Sequence, residues 1–366
     1  MCRLGRGGVL TDEKVSMQNE RQVDKMLRAA KGASNSVIVI QDIPDPDAIA
    51  SAEALKRLLA AKCDVESVIA HQGIVGRAEN RGLLHYLHLP LAQISDLNLA
   101  DFDLVATVDT QPQFGNNSLP GEVPCNIVID HHRDHEPPPG VDFVDIRPVY
   151  GATSTILTEY IRFSDVRLDV HLATALLYGI KSDTQDLGRE STQADIDAYL
   201  FLYPHADKAA ISGIEHERVS RAYFLSLHEA IEQSRLYGPA LICCAGRSCG
   251  PEIIAEVADL LMRLAGVDYV LCYGVCKDQI VMSLRADRKK GNAHGLIREI
   301  VEGIGTGGGH EMFAGGQVAL GDASPEKVIA TLEERFLTSL NLARTEPIRL
   351  VPDGPHDKQS EEGNGV

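Results

Sequence analysis

Val37-Ile-Val-Ile40, followed at once by Gln41-Asp-Ile-Pro-Asp-Pro-Asp-Ala48, is the stretch that decides the fold. Four consecutive apolar residues, all β-branched, read as a short buried strand. The Pro-Asp-Pro-Asp segment ends it in a turn, and Asp47 stands where a helix N-cap is expected before a helix over 48–61. The same pattern recurs downstream. Val65 to Ala70, Leu104 to Val108 and Asn126 to Ile129 are further apolar strand candidates. Ser154 to Phe163 and Leu168 to Ile180 carry helical patterns. Strand–helix alternation predicts βαβ units, hence an α/β class with a mostly parallel sheet and helices on both faces.

Around this core, Met17 to Lys31 reads as a helix, with Val23, Met26, Leu27 and Ala30 on one face and Gly32 as its stop. Residues 1–16 have no pattern and read as a tail, with Met17 as an alternative start. Residues 191–236 are helical and polar and read as a connector. A second, smaller α/β domain is expected over 237–345. It has strands at 240–244, 269–273 and 279–284, helices at 251–265, 293–301 and 325–340, and a glycine loop before the last strand. Residues 346–366 read as an acidic, disordered tail.

Length and composition narrow the function. The chain has 366 residues, which at about 150 per domain gives two. Lys and Arg total 35 against 52 Asp and Glu, a formal net charge of −17, unlike the basic footprint of a protein that coats long duplex nucleic acid. Aromatics are 5% and Trp is absent, which disfavours a broad base-stacking platform. No run approaches the roughly 18 apolar residues of a membrane span, and Met1 to Gly8 has no apolar core of a secretory signal. The eight cysteines form no CxxC pair, and most sit in apolar runs, so reduced core thiols and a cytoplasmic location are expected.

Four acidic signals carry the chemistry. Asp45 and Asp47 follow the first strand, Asp109 follows Leu104–Val108, and Asp130-His131-His132 follows Asn126–Ile129. Asp183 closes the helix that ends near Ile180. Three of the four stand directly after apolar strands, and in an open α/β sheet ligands bind beyond the carboxyl ends of the strands. Each residue alone is an ordinary cap or turn. Packed together, the carboxylates would repel, and their pKa values would rise unless divalent cations resolved the conflict. Carboxylates with imidazole suit Mn²⁺ or Mg²⁺. A shared Asp could bridge two ions about 3.5–4 Å apart, as in phosphoryl-transfer sites.

These residues resemble the DHH phosphoesterases, in the subgroup carrying a DHH-associated C-terminal domain. The resemblance spans about residues 33 to 340. It rests on the Asp45–Asp47 motif, on Asp130-His131-His132, on Ser283-Leu284-Arg285, and on Gly307-Gly308-Gly309-His310 with Ala314-Gly315-Gly316. It implies a metal domain over 17–190, a substrate-binding domain over 237–345, and a cleft between them. Asp45 and Asp109 would hold one metal. Asp47, Asp109, His131 and Asp183 would hold a second, with Asp109 bridging. Asp130 and His132 would complete the catalytic set, Asp130 orienting a histidine and His132 near the scissile phosphate. Arg285, His310 and an anion nest of glycine N–H groups would grip substrate. Ser154 or Thr155 would cap the helix they open, or Ser154 would meet phosphate.

The family's leading histidine is Gln41 here, read as a weak metal ligand. The implied activity is hydrolysis of small nucleotides: short single-stranded oligoribonucleotides, 3′-phosphoadenosine 5′-phosphate or cyclic dinucleotides. The alternatives are an inorganic pyro- or polyphosphatase, and a catalytically weak nucleotide-binding relative in which Gln41 has cost one metal. The implied cofactor is Mn²⁺ or Mg²⁺ as two ions. The implied partners are a small nucleotide and, for assembly, a second copy of the chain.

Overall fold

The structure, a computed structural model, describes residues 12–352 except 74, 76, 133–139, 190, 248–250, 288 and 310–311. His310, Arg288, Cys2, Cys249 and most of both expected tails lie outside the described residues. The chain divides into two compact units, Met1–Glu217 and Arg218–Val366.

The first unit is built on six strands: β1 (Asn35–Val39), β2 (Glu66–His71), β3 (Ala92–Gln93), β4 (Leu104–Val108), β5 (Ile127–Asp130) and β6 (Phe143–Ile146). They form one sheet in the order β3-β2-β1-β4-β5-β6, and every neighbouring pair is parallel. Its helices are α1 (Asp12–Ala29), α2 (Pro46–Cys63), α3 (Ala78–Leu87), α4 (Thr153–Phe163), α5 (Val170–Asp183), α6 (Gln193–Leu202) and α7 (Lys208–Glu215). Strand order reverses between β1 and β4. That is the switch point at which two chain segments leave adjacent strands in opposite directions and open a crevice.

The helices gather on one face of this sheet. Ile38, Ile40, Ala106, Val108, Ile127 and Ile129 bury there with Leu55, Leu59, Ile156, Leu157 and Leu176. Each such aliphatic side chain contributes about 1.5–3 kcal/mol relative to exposure. The opposite face, with Val37, Val39, Val105 and Val128, packs instead on Ile94, Leu119 and Cys125, with Leu99 and Phe102 beside them. Thus short 3₁₀ turns at 94–96 and 99–101 and the loop before β5 stand where long helices were expected on the second face. Residues 191–236 also differ from a connector. Ala198, Leu202, Ile211 and Ile214 of α6 and α7 belong to the first unit's core.

The second unit holds α8 (Arg221–Gln233), β7 (Arg235–Tyr237), β8 (Ala240–Arg247), α9 (Pro251–Leu261), β9 (Tyr269–Cys276), β10 (Gln279–Ala286), α10 (Ala293–Val301), β11 (Thr306–Gly309), β12 (Phe313–Ala319), α11 (Pro325–Ser339) and β13 (Ile348–Arg349). Its seven strands run β11-β12-β10-β9-β8-β7-β13. Among the described residues, only β8 and β9 pair in parallel. α10 and α11 cover one face, and α8 and α9 the other. Cys125, Cys243, Cys272 and Cys276 are buried in the cores.

The glycine segment 307–309 is not a loop but the edge strand β11, paired with β12 through Gly307↔Gly316 and Gly308↔Gly315. Glycine is needed there for packing. A Cβ on Gly307 or Gly316 would come within 3.2 or 3.1 Å of the Ile297 side chain, which α10 presses onto both strands. Extended backbone does not present successive N–H groups to one point, so the expected anion nest is absent at 307–309.

Candidate metal centre

Two of the acidic signals lie at the carboxyl ends of β1 and β4, on either side of the switch point, and a third at the end of β5. Asp45 is the N-cap of α2, its Oδ1 accepting from Ala48 N at 2.9 Å. The cap expected at Asp47 is therefore two residues earlier, because Pro46 takes the first helical position, where its missing N–H does no harm. Asp47 is buried and caps a different helix: its Oδ2 accepts from Thr153 N and its Oδ1 from Ser154 N, both at 2.7 Å. The positive end of α4 thus rests on this carboxylate.

That geometry also corrects the expectation for Ser154 and Thr155. Ala152, not either hydroxyl residue, is the N-cap of α4, and the capping group comes from Asp47. Ser154 is fully buried, with its Oγ 3.2 Å from Ser51 Oγ. Thr155 Oγ1 donates to Asp195 Oδ1 at 2.6 Å.

Asp109 is buried at the end of β4 in the left-handed region, with φ of 59°. Its Oδ1 accepts from Thr153 Oγ1 at 2.8 Å. Its Oδ2 accepts from Gln41 Nε2 at 2.7 Å, and the same nitrogen lies 3.2 Å from the Asp109 backbone oxygen. Gln41 therefore meets Asp109 as a donor in this structure.

His131 is the centre of the cluster. Its Nδ1 lies 3.1 Å from the Tyr150 backbone oxygen, which can only accept, so Nδ1 carries the proton. The Nε2 lone pair is then turned inward, 3.2 Å from Asp183 Oδ2, 3.6 Å from Asp109 Oδ1 and 4.0 Å from Asp47 Oδ2. Nε2 is buried and has no hydrogen-bond partner. Asp47, His131 and Asp183 place ligand atoms within 4.8 Å of one another, as do Asp109, His131 and His132. An inward-facing imidazole nitrogen beside three carboxylates fits a hard divalent cation, which would replace the proton that the carboxylates otherwise favour on it.

Asp130 is the organiser. Its Oδ1 accepts from His131 N at 2.8 Å and from His132 Nδ1 at 2.8 Å, while its Oδ2 accepts from Gln111 Nε2 at 2.7 Å. Against the effect of burial, the His132 hydrogen bond lowers the Asp130 pKa, and the His131 contact lowers that of Asp183. Burial and the charges of Asp183 and Asp47 push Asp45 up to about 6. Burial and neighbouring carboxylates also raise Asp47 and Asp109. Burial pulls His131 down, but the facing carboxylates outweigh it and raise the imidazole well above its ordinary value. The cluster holds protons more tightly than isolated groups would, as expected of a site built for a cation.

The family model of the DHH family, N-terminal domain, matches residues 36–180, and that of the DHHA1 domain matches residues 238–337. The chain belongs to the DHH family. An uncharacterised protein of Methanocaldococcus jannaschii is 31% identical to this DHH protein over 312 residues, covering 84% of this chain. The chain spans 63% of the length of that relative. Among solved structures, an exopolyphosphatase-related protein from Bacteroides fragilis aligns with a TM-score of 0.70 at 17% identity, over 88% of this chain and 98% of that one. RecJ from Thermus thermophilus, in complex with Mn²⁺, aligns with a TM-score of 0.51 at 16% identity, over 91% of this chain and 55% of RecJ. At these identities the likeness is one of fold. Within this chain the two family models match in the order expected from the motifs.

Several residues were not apparent from sequence. Asp195 is fully buried and accepts from Gly151 N at 3.0 Å, Thr155 Oγ1 at 2.6 Å and Thr192 N at 2.7 Å, so it ties the segment that grips Asp47 to the start of α6. Arg147 binds Asp145 through Nε and Nη2, and Glu159 and the Tyr150 hydroxyl through Nη1, beneath the carbonyl that orients His131. In the second unit, Arg285 is nearly buried. It pairs with Asp259, donates to Ser283 Oγ at 2.7 Å, and lies over the Phe313 ring at 6.0 Å. It is held by its own unit rather than extended into solvent.

Proposed function

We propose that this chain is a metal-dependent hydrolase of phosphoester bonds in small nucleotides, such as short oligoribonucleotides, 3′-phosphoadenosine 5′-phosphate or cyclic dinucleotides. One observation carries the reading: the buried, unpartnered Nε2 of His131 faces Asp47, Asp109 and Asp183. Membership of the DHH family and the Mn²⁺ in RecJ, which shares the fold, favour Mn²⁺ or Mg²⁺ as the cation. Such an ion, when bound, lowers the pKa of a coordinated water and stabilises charge on phosphoryl oxygens.

The protein's own part is positional. The α4 N-terminus holds Asp47, Thr153 holds Asp109, and the Tyr150 carbonyl sets the His131 tautomer. Asp130 fixes His132 through Nδ1, and we assign His132 to the scissile phosphate and to proton transfer toward the leaving oxygen. Arg285 and His310 are the proposed substrate contacts of the second unit, without the glycine nest. The net charge of −17 favours small substrates over long polyanions.

The test is a substrate panel. Metal-stripped protein is assayed with and without Mn²⁺ on a dinucleotide, 3′-phosphoadenosine 5′-phosphate, a cyclic dinucleotide and pyrophosphate. Mn²⁺-dependent turnover of one of the first three, abolished by Asp109→Ala, is expected. Turnover of pyrophosphate alone would move the protein to inorganic phosphoanhydrides. Tight nucleotide binding without turnover would make it a binding relative.

A further inference from the structure

The two carboxylate oxygens of Asp109 face different surroundings. Oδ1 lies 3.6 Å from His131 Nε2 and 3.7 Å from His132 Nδ1, on the side of the ligand cluster. Oδ2 is covered by the Gln41 carboxamide. The orientation of that carboxamide follows from its partners. Asp109 Oδ2 at 2.7 Å and the Asp109 backbone oxygen at 3.2 Å are both acceptors, so the group beside them must be the NH₂. Turned over, it would set its own oxygen against two others.

An ion bridging through Asp109 Oδ2 would have to enter where those amide hydrogens point. Their partial positive charge opposes a cation, and moving them breaks a hydrogen bond to a charged acceptor. Among the described residues, no grouping of three ligand atoms within 4.8 Å includes Asp45.

We propose that this chain holds one divalent cation tightly, among Asp47, Asp109 Oδ1, His131 and Asp183. Gln41 sets that count by covering Asp109 Oδ2 against a second, bridging ion. The proposal rests on the metal reading above and departs from the two ions expected from the motif. Gln41 here acts through Asp109 and is a positioning residue.

The test counts ions. Full-length, metal-stripped protein is dialysed against Mn²⁺, the bound metal is measured by mass spectrometry, and the electron paramagnetic resonance spectrum is recorded. The wild type should retain one Mn²⁺ per chain and show the hyperfine pattern of an isolated ion. Gln41→His and Gln41→Ala should each bind a second ion about 10- to 100-fold more tightly than the wild type does. In Gln41→His, exchange coupling between neighbouring ions should replace the isolated-ion signal. Gln41→Ala decides the matter if the histidine variant does not fold. Two coupled ions on the wild type, or a single ion on every folded variant, would overturn the proposal. A wild type that binds no Mn²⁺ would instead refute the metal reading itself.

Discussion

Asp195→Ala should loosen the metal centre although Asp195 touches none of the ligands. The carboxylate satisfies four donors: Gly151 N, Thr155 Oγ1, Thr192 N and Thr192 Oγ1. Two of these, on Gly151 and Thr155, are on fully buried residues that water does not reach. Leaving a buried donor unsatisfied costs about 1–3 kcal/mol, so the pair costs about 2–6 kcal/mol. That is a large share of the roughly 5–15 kcal/mol by which a domain is stable. The segment released is Gly151–Thr155, whose amides hold Asp47. Hydrogen exchange on the intact chain reads this directly. Protection of the Gly151, Thr153 and Ser154 amides should fall by about 30-fold or more, since each 1.4 kcal/mol is a factor of ten. Mn²⁺ affinity should weaken by about 10- to 100-fold, the usual effect of removing an outer support of a metal site. Unchanged protection at these three amides, with Mn²⁺ affinity intact, would refute the reasoning. Asp195→Asn, which keeps one acceptor oxygen and the volume, should fall between the two.

Further outcomes follow from the same geometry. Gly179→Ala should destabilise the first unit by about 1–3 kcal/mol in denaturant melts and weaken Mn²⁺ binding, because its Cβ would lie 2.3 Å from Ser154 Oγ and 3.2 Å from the Asp47 backbone. A neutral or stabilised variant would show that α5 is not packed tightly under Asp47. Arg147→Met leaves Asp145 and Glu159 buried without their cation, so a loss of about 3–5 kcal/mol is expected, with weaker metal binding through Tyr150 and His131. The pH dependence has a definite sign. Asp45, Asp47, Asp109 and His131 all have raised pKa values in the metal-free fold, so the native state holds more protons at these sites than the unfolded chain. These groups make metal-free stability fall as pH rises from the ordinary carboxylate range through about 6, and further as His131 loses its proton, while the lowered values of Asp130 and Asp183 act the opposite way at the acid end. A cation replaces the held protons. The Mn²⁺-induced rise in Tm should therefore grow from about pH 5.5 to about pH 8, and a rise independent of pH would contradict the assignment.

Much of the centre was legible because strand ends are legible. Three short apolar runs, each followed by an acidic turn, place Asp45, Asp47, Asp109 and the Asp130-His131-His132 run at one sheet edge once the sheet is parallel. Asp183 closes a helix instead of a strand, so the sequence pattern alone tied it to the strand ends less firmly. What stayed hidden are contacts made across the fold. Gln41 shows its meaning only when its two acceptors on Asp109 are seen, and Asp195 reads as an ordinary first-turn acid of α6. Gly307 to Gly309 looked like a loop because glycine is common in loops. As a strand it is dictated by Ile297, which no local pattern reveals. The second sheet face misled for a related reason: turns bearing Ile94, Leu99 and Phe102 bury strands as well as helices do.

The central claim is that the buried lone pair of His131 and its three facing carboxylates form a cation site. Crystals grown with Mn²⁺ and measured at the manganese absorption edge test it directly. The account expects an anomalous peak among His131 Nε2, Asp47, Asp109 and Asp183, within about 2.0–2.6 Å of the carboxylate oxygens, as for hard divalent cations. No peak there in Mn²⁺-saturated crystals, or an imidazole turned to present Nδ1, would contradict it.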